Sequence, residues 1–187
     1  VFYLPNLKKN SNEISSIRAT FQAYINLLKS PIFLGFAFQG AFAPGAFMSF
    51  MAIGPYLMII ELNRSATEFG FYFGIVTLIF MIANFLGGKF SKKIGIEKMV
   101  FLGAITAIIA GITGLSFYYF LGLSVFLMFL IQTISSIGNG IAMPSSQIGA
   151  MNVNPKISGT ASGAAAFFQT IMGAVFAQSV SSINYDM

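Results

Sequence analysis

Apolar residues run along this chain in long blocks, and polar residues gather between them. Five blocks stand out, at about residues 31–60, 69–88, 99–120, 121–143 and 157–180. They show no strand-like alternation, and the apolar runs reach roughly 20 residues, the length a helix needs to cross a ~30 Å hydrocarbon layer. The pattern therefore predicts membrane-spanning helices, not barrel strands. A straight helix over the first block would be ~45 Å long, so it must tilt, bend or project beyond the bilayer. Gly40, Pro44, Gly45, Gly54 and Pro55 supply the bends, since each proline removes a backbone donor and crowds the preceding turn.

The polar breaks carry start and stop signals. Residues 1–30 read as a linker whose second part has a helical stripe of Ile14, Ile17, Phe21, Tyr24, Ile25 and Leu28. Asn10 and Glu13 have the spacing of an N-cap and its return partner. Such a helix lies on the membrane surface or is an ordinary solvated linker, and the sequence leaves both open. Glu61, Asn63 and Arg64 close the first span, and Ser65-Ala66-Thr67-Glu68 is a capping box that opens the second. Pairs of small residues four apart, Gly70 with Gly74 and Ala83 with Gly87, predict close helix approach. Gly103, Ala107 and Gly111 predict the same on the third span, which ends in an interfacial Tyr118-Tyr119 pair. Residues 144–156 read as a polar loop, with Asn154 capping a fifth span and Pro155 at its first position.

Composition agrees with the pattern. The 187 residues are 56% hydrophobic and 8% charged, with mean hydropathy +0.81. A soluble domain carries about 25% charged residues, so this is an integral membrane protein. Four of the ten basic residues lie in Gly87–Lys98, between two apolar blocks. A lysine at the bilayer centre costs roughly 2.5–3.5 kcal/mol, so residues 89–98 are expected to form a tight loop at a membrane surface. Because successive spans alternate direction, Lys8, Lys9, Arg18, Lys29, Lys89, Lys92, Lys93, Lys98 and Lys156 share one side, and Arg64 alone has the other. This asymmetry predicts that residues 1–30, 89–98 and 144–156 are cytoplasmic. It also accounts for the net charge of +5 without nucleic acid. The chain starts at Val1 and ends just after an apolar run, and we expect it to be a piece of a longer polytopic protein.

Cysteine and histidine are absent, which excludes disulfides, thiolate metal sites and histidine-based catalysis. No span has a charged residue at its middle. A membrane-embedded hydrolase is therefore not expected, and any coupling charge must lie elsewhere. The uncharged amides Gln39, Asn84, Gln132, Asn139, Gln169 and Gln178 remain, and an amide in hydrocarbon needs a partner or water. They line a wet pathway or bond neighbouring helices for about 0.6 kcal/mol each. Phenylalanine is abundant, 22 residues with no tryptophan. Phe36, Phe42, Phe47, Phe50 and Tyr56 in the first span, with Phe167 and Phe168 in the fifth, make a pocket for apolar, aromatic solutes or pack on lipid and helices.

Four stretches together resemble the major facilitator superfamily, specifically the bacterial Bcr/CflA-type drug-resistance transporters. Residues 21–34, Phe-Gln-Ala-Tyr-Ile-Asn-Leu-Leu-Lys-Ser-Pro-Ile-Phe-Leu, look like the lead into that family's seventh helix. Phe47 to Leu57, with Phe50 and Gly54-Pro55-Tyr56, is similar to its aromatic-rich seventh helix. Ser65-x-x-Glu68-Phe69-Gly70-x-x-Phe73 looks like the start of its eighth, and Gly159-Thr160-Ala161-Ser162-Gly163 with Gln169 and Gly173-Ala174 resembles its eleventh. The lysine stretch then falls on the superfamily's Gly-x-x-x-Asp-Arg-x-Gly-Arg-Lys cytoplasmic loop. Gly88 and Gly95 match and Lys93 replaces the Arg, but Lys92 stands where the Asp would be and Ile96-Glu97 replaces the basic pair.

The resemblance implies an all-α transmembrane fold in which residues 31–187 form five helices of a six-helix half-bundle, numbers seven to eleven of twelve. An N-terminal six-helix half would be the partner. It implies a secondary transporter in a bacterial inner membrane, not an enzyme, that exports drugs or other small apolar solutes. A proton gradient would be its driving force, and it would need no cofactor and no metal. Substrate contacts are expected from Gln39, Phe47, Phe50, Asn84, Gln132, Asn139, Phe168 and Gln169, and an inner-leaflet anchor from Gly88, Lys92, Lys93 and Gly95. Two other readings stay open. One is a transporter of the same fold that moves a metabolite or sugar. The other is a nontransporting membrane scaffold, in which Asn84, Gln132 and Gln169 are all replaceable by Leu.

Overall fold

The structure is a computed structural model that describes residues 17–183. The Asn10–Glu13 pair and Lys8 and Lys9 lie outside the described residues. Among the described residues all regular structure is helical, and five helices are long and apolar enough to cross a membrane.

A short helix, α1 (Ile17–Leu28), leads into the first long one, α2 (Pro31–Tyr56). Leu27 of α1 is buried against α2 and its neighbours, whereas Phe21 and Leu28 are exposed. Pro31 sits in the first turn of α2, and Ser30 Oγ accepts from the Phe33 N–H at 3.3 Å. The helix continues through Pro44 and Pro55, then widens into a π-helical turn, Leu57–Glu61, where the Leu62 N–H donates to the Leu57 carbonyl at 3.0 Å. Asn63, in the left-handed region at φ 52°, ends the run.

α3 (Ala66–Ile94) begins as the capping box predicts, with Ser65 Oγ accepting from the Glu68 N–H at 3.1 Å. Its far end departs from expectation. The helix does not stop near residue 88; it carries Lys89, Lys92 and Lys93 on its last turns. Gly95 alone, at φ 95° and ψ 150°, separates it from α4 (Ile96–Leu121). The expected loop over 89–98 is thus two helix ends around one glycine. Lysine is a good helix former, and leaving the hydrocarbon removes no backbone hydrogen bond.

A second departure follows. α5 (Val125–Asn152) runs through Pro144, so most of the expected polar loop over 144–156 is helix. Ser145, Ser146, Gly149 and Ala150 are buried within it. Small polar residues here serve helix packing, not a water-facing surface. Asn154 Oδ1 accepts from the Lys156 N–H at 3.2 Å and starts a 3₁₀ turn, Pro155–Ile157, which leads into α6 (Ser158–Ile183).

The bundle is built around α5, which packs against α2, α3, α4 and α6. α5 is the most buried of the five long helices and α4 the least, so α5 is the core helix and α4 the lipid-facing one. Glycine sets the spacing. A Cβ on Gly87 would stand 2.8 Å from the Ile141 Cα, and one on Gly138 would stand 2.9 Å from the Thr106 Cβ. The Ala83/Gly87 pair therefore meets α5, as do Gly103 and Ala107. Gly70, Gly74 and Gly111 face open space among the described residues, and their expected packing is not found. α2 and α3 both lie on α5, yet their backbones scarcely approach each other. Side chains, not backbones, line the cleft between them.

Candidate functional site

The cleft between α2 and α3 holds a cavity of about 450 Å³, with α5 as its back wall. Pro44, Phe47 and Met48 come from the middle of α2, Phe73, Val76, Thr77 and Phe80 from α3, and Ser136, Asn139 and Met143 from the middle of α5. It therefore sits near half depth. Its surface is apolar and aromatic, with Thr77, Ser136 and Asn139 as the polar side chains. Thr77 Oγ1 donates to the Phe73 carbonyl at 2.9 Å, an internal bond of the helix, so its hydroxyl is already satisfied. Gln132 is buried at 6% exposure and stands one turn before Ser136. At helical spacing Gln132, Ser136, Asn139 and Met143 fall along one side of α5.

An aromatic cluster adjoins the cavity on the side of the α2–α3 connection. Phe47 and Phe73 have ring centroids 5.9 Å apart. Phe50 stacks on Phe69 at 6.0 Å and meets Phe129 edge-on at 5.7 Å. Tyr72 and Phe129 are 5.0 Å apart. Gly54 makes room for this cluster, since a Cβ there would stand 3.1 Å from the Phe69 ring. Each such pair adds about 0.5–1.5 kcal/mol beyond area burial.

A polar cluster lies on the other side of α5, toward α6. Gln147 Nε2 donates to Ser162 Oγ at 3.2 Å, and Gln169 Nε2 donates to Gln147 Oε1 at 3.4 Å. A Cβ on Gly40 of α2 would come within 3.2 Å of Gln169 Nε2 and 3.6 Å of the Ser146 Cβ, so glycine lets α2 close over the pair. The buried Ser145 and Ser146 hydroxyls find no hydrogen-bond partner among the described residues.

The expected site residues separate into groups. Phe47 and Asn139 share the cavity, and Phe50 stands in the adjoining aromatic cluster. Gln169 belongs to the polar cluster, and Gln39 is half-buried beside Gly40. Phe168 packs on Phe38 with centroids 5.8 Å apart. Asn84 does not line the cavity; it follows Ala83 at the α3–α5 crossing. Of the expected anchor residues, Gly88 is interior to α3, Lys92 and Lys93 are exposed on its last turn, and Gly95 is the turn itself. Sequence reasoning missed Gln147, because residues 144–156 read as a loop, and named Ser162 only within a family-like stretch, not as a partner of Gln147. It also passed over Ser136, although its spacing from Gln132 and Asn139 was a visible signal.

Five long apolar helices, spaced by glycine around a half-depth cavity without a charged side chain, define a polytopic membrane protein. The chain belongs to the Major Facilitator Superfamily, a family of membrane transporters and not of enzymes, which it matches over residues 1–177. It is 25% identical over 195 aligned residues to a protein named bicyclomycin resistance protein homolog from Haemophilus influenzae (strain ATCC 51907 / DSM 11121 / KW20 / Rd). That alignment covers 99% of this chain and 46% of the relative, so the chain spans about half of the relative's length. No solved structure matches it significantly.

Proposed function

We propose that this chain is part of a proton-driven exporter of drugs or other small apolar solutes in a bacterial inner membrane. In this reading α2–α6 belong to one half of a two-half transporter, and the lysine-bearing end of the bundle faces the cytoplasm. The observation that carries the reading is the cavity between α2, α3 and α5. It sits at half depth, its walls are phenylalanine and methionine, and Asn139 gives it an amide. Such a lining binds apolar solutes by area and discriminates weakly among them. The name of the Haemophilus influenzae relative points the same way. The coupling charge then lies outside these spans, because the middles of α2–α6 carry none.

The test is dye efflux from energised membrane vesicles that contain the full-length transporter, with and without an uncoupler. The reading predicts efflux that collapses when the proton gradient is discharged. It also predicts that Phe47→Ala raises the half-saturating dye concentration about two- to tenfold, the worth of one aromatic contact. Efflux indifferent to the uncoupler would overturn proton coupling. Transport of a sugar or metabolite but no dye would leave the fold in place and replace the substrate class.

A further inference from the structure

The lysines of the last turns of α3 lie at the same level as one end of a long apolar groove on the exposed side of the bundle. The groove measures about 460 Å³ and lies between α3 and α4, with Ile137 and Ile141 of α5 as its floor. Every residue that lines it is apolar or glycine. From Ile79 to Ile94 its α3 wall rises about 22 Å. From Ile79 to the level of Lys89 it rises about 15 Å, close to half of a ~30 Å hydrocarbon core, so the groove below the lysines matches the acyl depth of one leaflet.

Because α3 stays helical to Ile94, its lysines have fixed positions relative to this groove. Seven residues make nearly two turns, so Lys89 and Lys93 fall about 20° from the groove residues Ile82 and Leu86. Lys92 is rotated about 120° from Leu86, onto another face. From α4, Lys98 stands one turn before the groove residue Leu102. Lys89, Lys93 and Lys98 are all exposed. Among the described residues Glu97 is the one carboxylate at this end, and the ion pair of Arg64 with Glu68 lies at the opposite end. Three exposed cations thus stand beside one end of an apolar slot with little to neutralise them.

We propose that this groove is a binding site for one anionic phospholipid. An acyl chain lies along Ile82, Leu86 and Phe90, and the headgroup phosphate is held by Lys89, Lys93 and Lys98. The site differs from general attraction to an anionic surface in two ways: it uses three lysines and not Lys92, and it needs the groove. It is independent of what the protein transports.

Native mass spectrometry of the full-length transporter, released from mild detergent after exposure to dioleoyl phosphatidylglycerol or dioleoyl phosphatidylcholine, tests both features. The proposal predicts that one phosphatidylglycerol is retained in preference to phosphatidylcholine. Replacing Lys89, Lys93 and Lys98 together by Gln should weaken that retention about a hundredfold, roughly fivefold per lysine. Lys92→Gln should leave it unchanged. Leu86→Trp, which fills the groove and keeps every lysine, should also abolish the preference. Equal retention of the two lipids, equal losses for Lys92→Gln and Lys93→Gln, or an unaffected Leu86→Trp would each overturn the site.

Discussion

A Cβ on Gly140 would stand 2.6 Å from the Ala83 Cβ and 2.9 Å from the Asn84 backbone nitrogen. No side chain on α5 fits there without pushing α3 away, so glycine at this position fixes the distance between the two helices. The same logic holds at Gly103 and Gly138 on the α4 side, where the would-be Cβ atoms meet backbone as well as side chain. Overpacking of this kind costs about 1–3 kcal/mol. We expect Gly140→Leu to lower the thermal midpoint of the detergent-solubilised full-length transporter by several degrees, whereas Gly111→Leu, which faces open space, leaves it unchanged. Equal shifts for the two variants would contradict the packing. The Gln147–Gln169 pair shows the other way a membrane interior is held. Its bonds at 3.4 Å and, to Ser162, 3.2 Å satisfy amides that hydrocarbon would penalise.

At the scale of elements, the chain's spans were legible and their ends were not. Hydropathy marks where hydrocarbon must be, but a helix need not stop where hydrocarbon does. α3 overshoots its apolar block because Lys89–Lys93 are free to stay helical in water, and α5 overshoots because Pro144 does not break it. Capping was more informative than hydropathy. Ser65 and Asn154, both readable in the sequence, mark the true starts of α3 and of the turn before α6. Of the candidate site, Phe47 and Asn139 were legible as an aromatic and an amide at mid-span, yet nothing local shows that α2 and α3 stand apart on α5 and leave a cavity there. That separation is a property of the packed bundle. The turn at Gly95 also belongs to this scale. Its φ of 95° with ψ of 150° is a region open essentially to glycine, at about 1–3 kcal/mol for other residues. Gly95→Ala should therefore destabilise the α3–α4 hairpin by that amount, seen as faster hydrogen exchange at Ser91–Met99. Exchange equal to the unsubstituted protein would show that the turn tolerates a side chain.

For the molecule as a whole, α5 divides the bundle into regions with different surroundings. One face carries the cavity and its aromatic cluster, another the glutamine cluster with α6, and the α4 side turns exposed Phe101, Ile108, Ile112 and Leu115 to lipid. The charges lie at the helix ends, six lysines at one end of the described bundle and Arg64 at the other, so the interior is left to size, shape and a few amides. The central claim is that the α2–α3–α5 cavity is on the path of a transported solute. The chain has no cysteine, so single introduced thiols report cleanly once any elsewhere in the full-length transporter are removed. Thr77→Cys in the cavity and Leu115→Cys on the lipid-facing side, each treated with a membrane-impermeant thiol reagent in vesicles with and without an exported dye, test the claim most directly. The account predicts that the Thr77 position reacts and is protected by the dye, while the Leu115 position does neither. A Thr77 position as silent as Leu115, or one that reacts equally with and without dye, would contradict it.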